Sequence, residues 1–160
     1  MNPSIHKSGA CILYAEDEKN DIFFLERAFQ STGSPHSLNA VPDGEQAIDY
    51  LAGKGRFADR ARHPLPALVL LDINMPKKSG LEVLEWIRQQ PCLKSLPVLM
   101  LTSSPRPDDM EKARLLGADD YLLKPSDPLG LVELVLSLHD RWLSQPAAAS
   151  RAAHPPRVHR

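Results

Sequence analysis

Four polar residues, each placed directly after a short apolar run, are the part of this sequence best suited to chemistry. Asp17 follows CILYAE, Asp72 follows LVLL, Thr102 follows VLML and Lys124 follows YLL. Apolar runs of this length are typical of buried parallel strands. Ligands bind outside the carboxyl ends of the strands in open α/β sheets, so we expect these four side chains to meet in one pocket.

The predicted pocket is rich in oxygen ligands. Glu16 adds a third carboxylate to those of Asp17 and Asp72, and the main-chain carbonyl of Asn74 lies two residues further along the chain. Mg²⁺ prefers near-octahedral coordination by carboxylates, water and phosphate oxygens. The sequence therefore predicts a Mg²⁺ site formed by Glu16, Asp17, Asp72 and Asn74.

Asp72 is the candidate acceptor of a phosphoryl group. It opens the segment DINMPKKSG, in which Pro76 and Gly80 indicate a tight turn that leaves the carboxylate accessible. A carboxylate can accept a phosphoryl group as an acyl-phosphate. Lys124 could neutralise one phosphoryl oxygen, and the Thr102 hydroxyl could donate a hydrogen bond to another. These three residues are the predicted catalytic set.

The elements that must position these residues alternate along the chain. Five β-like runs alternate with five helical runs, which predicts an α/β fold: a (βα)₅ doubly wound, five-stranded parallel sheet with right-handed crossovers. The predicted strands span residues 11–15, 37–41, 67–71, 97–101 and 120–123, and the predicted helices span 18–31, 43–53, 79–90, 107–116 and 128–143.

Three segments lie outside this alternation. Residues 1–9 are expected to be flexible and to precede a single domain at 10–144. A long, mostly basic loop at 53–66 is either a surface insertion or a segment that contacts a partner. Residues 145–160 are rich in Ala, Pro, Arg and His with no acidic residue, so we expect a disordered or arm-like tail.

Composition excludes several classes of function. The 19 basic and 20 acidic residues argue against a general nucleic-acid binder, which needs a basic excess. Cys11 and Cys92 have no ligand spacing and are expected to be reduced thiols, and the 6 histidines are expected to be scattered and exposed to solvent. The sequence shows neither an apolar leader nor a membrane-spanning run, which favours a cytoplasmic protein.

Together, these motifs resemble the receiver domain of two-component response regulators. The resemblance covers residues 10 to about 143 and rests on Glu16-Asp17, LLDINMPKKSG, LTSS and YLLKP, with 30 positions from Asp72 to Thr102 and 22 from Thr102 to Lys124. It implies the flavodoxin-like receiver fold. It also implies that a histidine kinase phosphorylates Asp72 in the presence of Mg²⁺, and that the peptide bond between Lys124 and Pro125 is cis.

The resemblance further implies a conformational switch and a narrower kinship. Tyr121 would be the rotameric partner of Thr102, with its ring turning inward when the Thr102 hydroxyl moves toward the phosphoryl group. The long loop, the phrase DINMPKKSGLEVLEWIR and the absence of an output domain resemble the single-domain regulators paired with bacterial phytochromes.

Two helices carry more apolar residues than one buried face requires. Ile22-Phe23-Phe24-Leu25 sweep most of the circumference of helix one, so at least one must be exposed where a kinase helix would dock. Helix five is apolar nearly all round, which predicts a homodimer through this helix.

Two other functions compete with the receiver interpretation. An aspartyl-phosphate phosphohydrolase on a related α/β fold usually carries a second acid two residues after its nucleophile, and Asn74 occupies that position here. A DNA-binding regulator needs a helix-turn-helix, and too few residues follow helix five to form one. Neither direct DNA binding nor membrane association is expected.

Overall fold

The computed structural model describes residues 9–144, which fold around one five-stranded parallel sheet of order β2-β1-β3-β4-β5. The strands are β1 (Cys11–Ala15), β2 (Ser37–Val41), β3 (Leu68–Leu71), β4 (Val98–Thr102) and β5 (Asp120–Leu123). The helices are α1 (Lys19–Ser31), α2 (Gly44–Ala52), α3 (Gly80–Gln89), α4 (Pro107–Leu116) and α5 (Pro128–Leu138). The predicted fold class is confirmed.

Burial of the sheet on both faces explains why its central strands are apolar throughout. Every residue of β1, β3 and β4 is buried, whereas the edge strands β2 and β5 are mostly half-buried. One face is covered by α2, α3 and α4, and the other by α1 and α5. The parallel register aligns the strands so that all their carboxyl ends reach the same edge.

Local signals set most helix boundaries close to the predicted positions. The Asp43 side chain caps α2 by accepting a 2.8 Å hydrogen bond from the Gln46 amide. Ser79 and Glu82 form a reciprocal capping box at the start of α3. Helix five is α-helical only to Leu138 and continues as one π-helical turn, His139–Leu143, within the predicted span of 128–143.

The long loop at 53–66 packs against α2. A short 3₁₀ turn, Gly55–Phe57, buries the Phe57 ring against Tyr50. The Tyr50 hydroxyl donates a 2.9 Å hydrogen bond to the Pro64 carbonyl. The Arg60 guanidinium donates to the carbonyls of Tyr50 at 2.7 Å and Leu51 at 2.9 Å in the last turn of α2, where the helix itself no longer supplies all the donors. This part of the insertion therefore has a structural role.

The expectation of scattered, exposed histidines fails for the three histidines within residues 9–144, because His36, His63 and His139 are all half-buried. The rings of His36 and His139 are 4.8 Å apart, and Nε2 of His139 is buried without a hydrogen-bond partner within residues 9–144. The expectation was wrong for this pair because α5 packs against α1, where Phe29 contacts His139 near the start of β2. Spacing along the chain does not reveal such a contact.

No helix in the described part of the chain is long and apolar enough to cross a membrane. The two cysteines are free thiols, with Cys11 buried in the sheet and Cys92 exposed. The predicted tail at 145–160 and most of the predicted flexible N-terminus lie outside the described residues.

Replacement of Arg60 tests the structural role of the insertion. Arg60→Ala removes charged hydrogen bonds to the last carbonyls of α2, so we expect the free energy of unfolding to fall by about 1.5–3 kcal/mol in urea denaturation. Arg62→Ala is the matched control, because the Arg62 side chain is 84% exposed and its ion pair with Asp59 should contribute at most about 1 kcal/mol. Equal losses in the two variants would contradict this assignment.

Candidate functional site

Three carboxylates meet at the carboxyl edge of the sheet, as the sequence predicts. Glu16 and Asp17 follow β1, Asp72 follows β3, and one oxygen from each lies within 4.8 Å of the others. Glu16 and Asp72 are buried, whereas Asp17 is exposed. The expectation of an accessible Asp72 carboxylate was wrong, because the start of α3 and the Lys124 side chain both pack closely against Asp72. Three negative charges this close repel one another unless a cation lies among them, and oxygen donors of this kind suit Mg²⁺.

The loop between β3 and α3 holds Asp72 in place. The Asp72 amide donates a 3.1 Å hydrogen bond to the Ala15 carbonyl, and the Gly80 amide donates a 3.0 Å bond to the Ile73 carbonyl. A Cβ atom at position 80 would lie 2.1 Å from the Asp72 carbonyl oxygen, so only glycine allows this close approach. Asn74 lies in the same loop and is exposed, at the position predicted to offer its main-chain carbonyl.

Lys124 joins the acidic cluster through three ion pairs. Its Nζ lies 2.5 Å from Glu16 Oε2, 2.9 Å from Asp21 Oδ2 and 3.2 Å from Asp72 Oδ2. Sequence reasoning missed Asp21 because an acid in the first turn of a helix is ordinarily explained by the helix dipole. The sequence feature that could have identified Asp21 is its position about one helical turn after Asp17.

Burial and charge shift the ionisation of this group of residues. Burial raises the pKa of Glu16 to about 7, although Lys124 and the Glu18 amide favour its charged form. Burial alone would lower the pKa of Lys124, but the bonds to Glu16 and Asp21 outweigh it and raise that pKa above its ordinary value. Lys124 therefore stays protonated at neutral pH, and a bound divalent cation would favour ionised Glu16.

Tyr14 is a second residue that sequence reasoning did not identify. Its hydroxyl is buried and donates a 3.3 Å hydrogen bond to Oε2 of Glu16, the oxygen that also contacts Lys124. Burial and the nearby Glu16 raise the pKa of Tyr14, so its hydroxyl remains a donor. The Glu18 amide donates to the other Glu16 oxygen at 3.0 Å, and the carboxylate is thus fixed in orientation.

The predicted switch residues Thr102 and Tyr121 both contact the main chain of Ser104. The Ser104 amide donates a 3.3 Å hydrogen bond to Thr102 Oγ1, and the Tyr121 hydroxyl donates a 2.7 Å bond to the Ser104 carbonyl. Thr102 is fully buried at the end of β4. Burial raises the pKa of Tyr121, which keeps its hydroxyl protonated.

The predicted cis peptide bond is not found. No peptide bond within residues 9–144 is cis, so the bond between Lys124 and Pro125 is trans. The trans isomer is the more stable one before proline unless the surroundings select cis. In this structure the trans bond is compatible with a 2.9 Å hydrogen bond from the Lys124 amide to the Thr102 carbonyl.

The geometry of this edge agrees with the match to a known family. The family model of the response regulator receiver domain matches residues 12–136. The chain belongs to this family. The receiver domain is 36% identical over 132 residues to response regulator Rcp1 of Synechocystis sp. (strain ATCC 27184 / PCC 6803 / Kazusa), which covers 82% of this chain and 88% of Rcp1.

The receiver domain is similar to solved structures of regulators associated with phytochromes and red light signaling. The phosphorylated cyanobacterial phytochrome response regulator RcpA has a TM-score of 0.77 and 34% identity, covering 84% of this chain and 94% of RcpA. RPA3017, described in red light signaling of R. palustris, has a TM-score of 0.78 and 38% identity, covering 83% and 93%. The Mn²⁺-bound form of Rcp1 has a TM-score of 0.75 and 34% identity, covering 86% and 96%. The predicted resemblance is confirmed.

Metal binding at the acidic cluster can be measured by thermal stability. We expect Mg²⁺ to raise the melting temperature of the protein, because ligands that bind only the folded state stabilise it. Asp17→Asn should reduce this increase by at least about half, since it removes an exposed carboxylate of the cluster. Asp140→Asn, which changes an exposed carboxylate on the π-helical turn, should retain the full increase. An unchanged increase in Asp17→Asn would count against a metal site at this residue.

Proposed function

We propose that Asp72 accepts a phosphoryl group from a histidine kinase and that the resulting change is transmitted through Thr102 and Tyr121. The observation that carries this proposal is the position of Asp72. Its buried carboxylate lies within the acidic cluster and its Oδ2 is 3.2 Å from the Lys124 ammonium. A carboxylate held beside a fixed positive charge can attack phosphorus while the charge on the phosphoryl oxygens is balanced.

Phosphoryl transfer to Asp72 requires only the donor molecule and groups that the site supplies. A carboxylate oxygen of Asp72 forms a bond to phosphorus, and the bond from phosphorus to the donor breaks with its electron pair leaving on the donor. Lys124 donates hydrogen bonds to the transferred group, and the Thr102 hydroxyl is positioned at the end of the neighbouring strand to donate another. Water later cleaves the acyl-phosphate, so the protein promotes only its own phosphorylation and dephosphorylation.

The site residues fit a Mg²⁺ cofactor. Glu16, Asp17 and Asp72, with the main-chain carbonyl of Asn74, would hold the ion. When bound, Mg²⁺ offsets the negative charge of the carboxylates and the phosphoryl oxygens. The Mn²⁺-bound form of the related Rcp1 supports a divalent cation in receivers of this kind.

Ser104 connects the phosphorylation site to the proposed switch. Its amide bonds Thr102 and its carbonyl accepts from Tyr121. When Thr102 turns its hydroxyl toward the phosphoryl group, the bond to the Ser104 amide is lost and the loop that also carries the Tyr121 partner can shift. The switch then amounts to a change in the relative populations of two packings.

A groove between α1 and α5 fits the docking of a kinase helix. Phe23 and Phe24 are 50% and 49% exposed, which confirms that helix one presents apolar side chains to solvent. Together with Leu129 they line an open groove of about 510 Å³. Phytochrome-linked regulators among the related structures favour a phytochrome histidine kinase as the partner. Such kinases use ATP, and we therefore also propose that the protein is cytoplasmic.

The competing phosphohydrolase function is not favoured. Asn74 occupies the position where that chemistry requires an acid, and the family match extends over residues 12–136 as a receiver domain.

Phosphorylation can be tested without a kinase. With acetyl phosphate and Mg²⁺, intact-mass spectrometry should show the addition of one phosphoryl group to the wild-type protein. Asp72→Asn should abolish this addition, because an amide cannot form the acyl-phosphate. Asp140→Asn is the matched control and should be labelled at the wild-type rate. Labelling that persists in Asp72→Asn would refute the assignment.

We also propose the predicted homodimer through helix five, although fewer apolar residues of this helix are exposed than the sequence predicts. Most apolar residues of α5 pack against the core, including Leu131, Leu134 and Leu138. Leu136 is 50% exposed on α5, Leu123 is 48% exposed on the edge strand β5, and Leu115 is 69% exposed on α4, which contacts β5. Apolar surface buried between two copies would favour association.

Leu136→Arg tests this interface. Light scattering at micromolar concentration should give a dimer for the wild type and a folded monomer for Leu136→Arg, since a symmetric contact places the charge in the interface twice. Val135→Arg is the contrasting variant, because Val135 is fully buried and the substitution should unfold the domain. A monomeric wild type, both with and without acetyl phosphate, would exclude the interface.

A further inference from the structure

Asp21 is a charged residue at the site, and it has no direct role in the proposed phosphoryl transfer to Asp72. It lies in the first turn of α1, its side chain is 39% exposed, and its Oδ2 is 2.9 Å from the Lys124 ammonium. It is not part of the carboxylate cluster that could hold a metal ion. Its contact with the site therefore runs through Lys124.

The other two partners of Lys124 are both predicted metal ligands. Nζ contacts Oε2 of Glu16 and Oδ2 of Asp72. An ammonium group and a divalent cation that approach the same oxygens compete for them and repel each other. The position of Lys124 among its three partners therefore affects how readily those oxygens can bind Mg²⁺.

Asp21 shares the Lys124 ammonium with the other two carboxylates from a different element of the fold. It belongs to α1, whereas Glu16 and Asp72 follow adjacent strands of the sheet. An ammonium has three N–H donors, and here one carboxylate is available to each. Without the charge of Asp21, the full attraction on Lys124 would come from Glu16 and Asp72.

We propose that Asp21 is a positioning residue that competes with Glu16 and Asp72 for the Lys124 ammonium and so leaves their oxygens more available to Mg²⁺. This inference rests on the proposed metal site. Asp21 acts through Lys124 and touches neither the metal nor the phosphoryl group.

A double-mutant cycle separates this role from a simple effect of charge. Mg²⁺ affinity is measured by isothermal titration calorimetry in the wild type, Asp21→Asn, Lys124→Met and the double variant, with cooperative unfolding in EDTA as the check on folding. Asp21→Asn should weaken Mg²⁺ binding roughly 3- to 10-fold when Lys124 is present. In the Lys124→Met background the same substitution should change the affinity by less than about twofold. Lys124→Gln replaces Lys124→Met in the cycle if the methionine variant does not fold.

Glu26→Gln is the matched control, because it removes a carboxylate from the same helix and Glu26 forms no ion pair with Lys124. It should leave Mg²⁺ affinity within about twofold of the wild type. Equal losses from Asp21→Asn in both backgrounds would show that its charge acts directly on the cation, and would overturn the proposal. Unchanged affinity in Asp21→Asn would overturn it as well. Absence of Mg²⁺ binding in the wild type would instead reject the metal site itself.

Discussion

Among residues 9–144, the ammonium of Lys124 is the one positive charge that forms ion pairs with the buried carboxylates Glu16 and Asp72. Glu16 and Asp72 are buried close to each other and to Asp17, and burial of like charges is costly without a cation nearby. Lys124 reduces this cost but cannot remove it, because it faces three carboxylates with a single charge. The remaining negative charge favours a cation at this edge, which is the physical basis of the proposed Mg²⁺ site. The proposed chemistry of the site is thus a consequence of incomplete charge balance in the folded protein.

Close backbone packing brings these charges to the same place. Gly80 allows α3 to start against the carbonyl of Asp72, and Gly44 allows α2 to start against the carbonyl of Lys78, where a Cβ atom would lie 2.2 Å away. The loop that carries Asp72 is therefore held between two helix starts. The insertion at 53–66 stabilises the far end of α2 through Arg60. Segments far from Asp72 in sequence thus support the geometry of its loop.

The sequence predicts which residues lie at the strand ends, but it does not predict the contacts that depend on side-chain packing. Asp17, Asp72, Thr102 and Lys124 could be assigned to one edge because apolar runs mark parallel strands and such strands end together. The contact between Asp21 and Lys124 could not be predicted, because a carboxylate in the first turn of a helix is already explained by its favourable interaction with the helix dipole. Tyr14 was hidden within an apolar strand whose aromatic residue looked like ordinary core. The contact between His36 and His139 arises from the packing of α5 on α1, which no local pattern encodes.

The two surfaces flanking α5 have different connections to the proposed phosphorylation site. The groove with Phe23 and Phe24 belongs to α1, the helix that also carries Asp21 and its contact with Lys124. The opposite side, near β5, connects to the site through Tyr121 and the main chain of Ser104. A partner that binds the first surface would therefore lie near the groups proposed to receive the phosphoryl group, whereas a partner at the second would sense the position of Thr102. Because separate elements carry the two connections, one small domain can receive a signal on one side of α5 and present the result on the other.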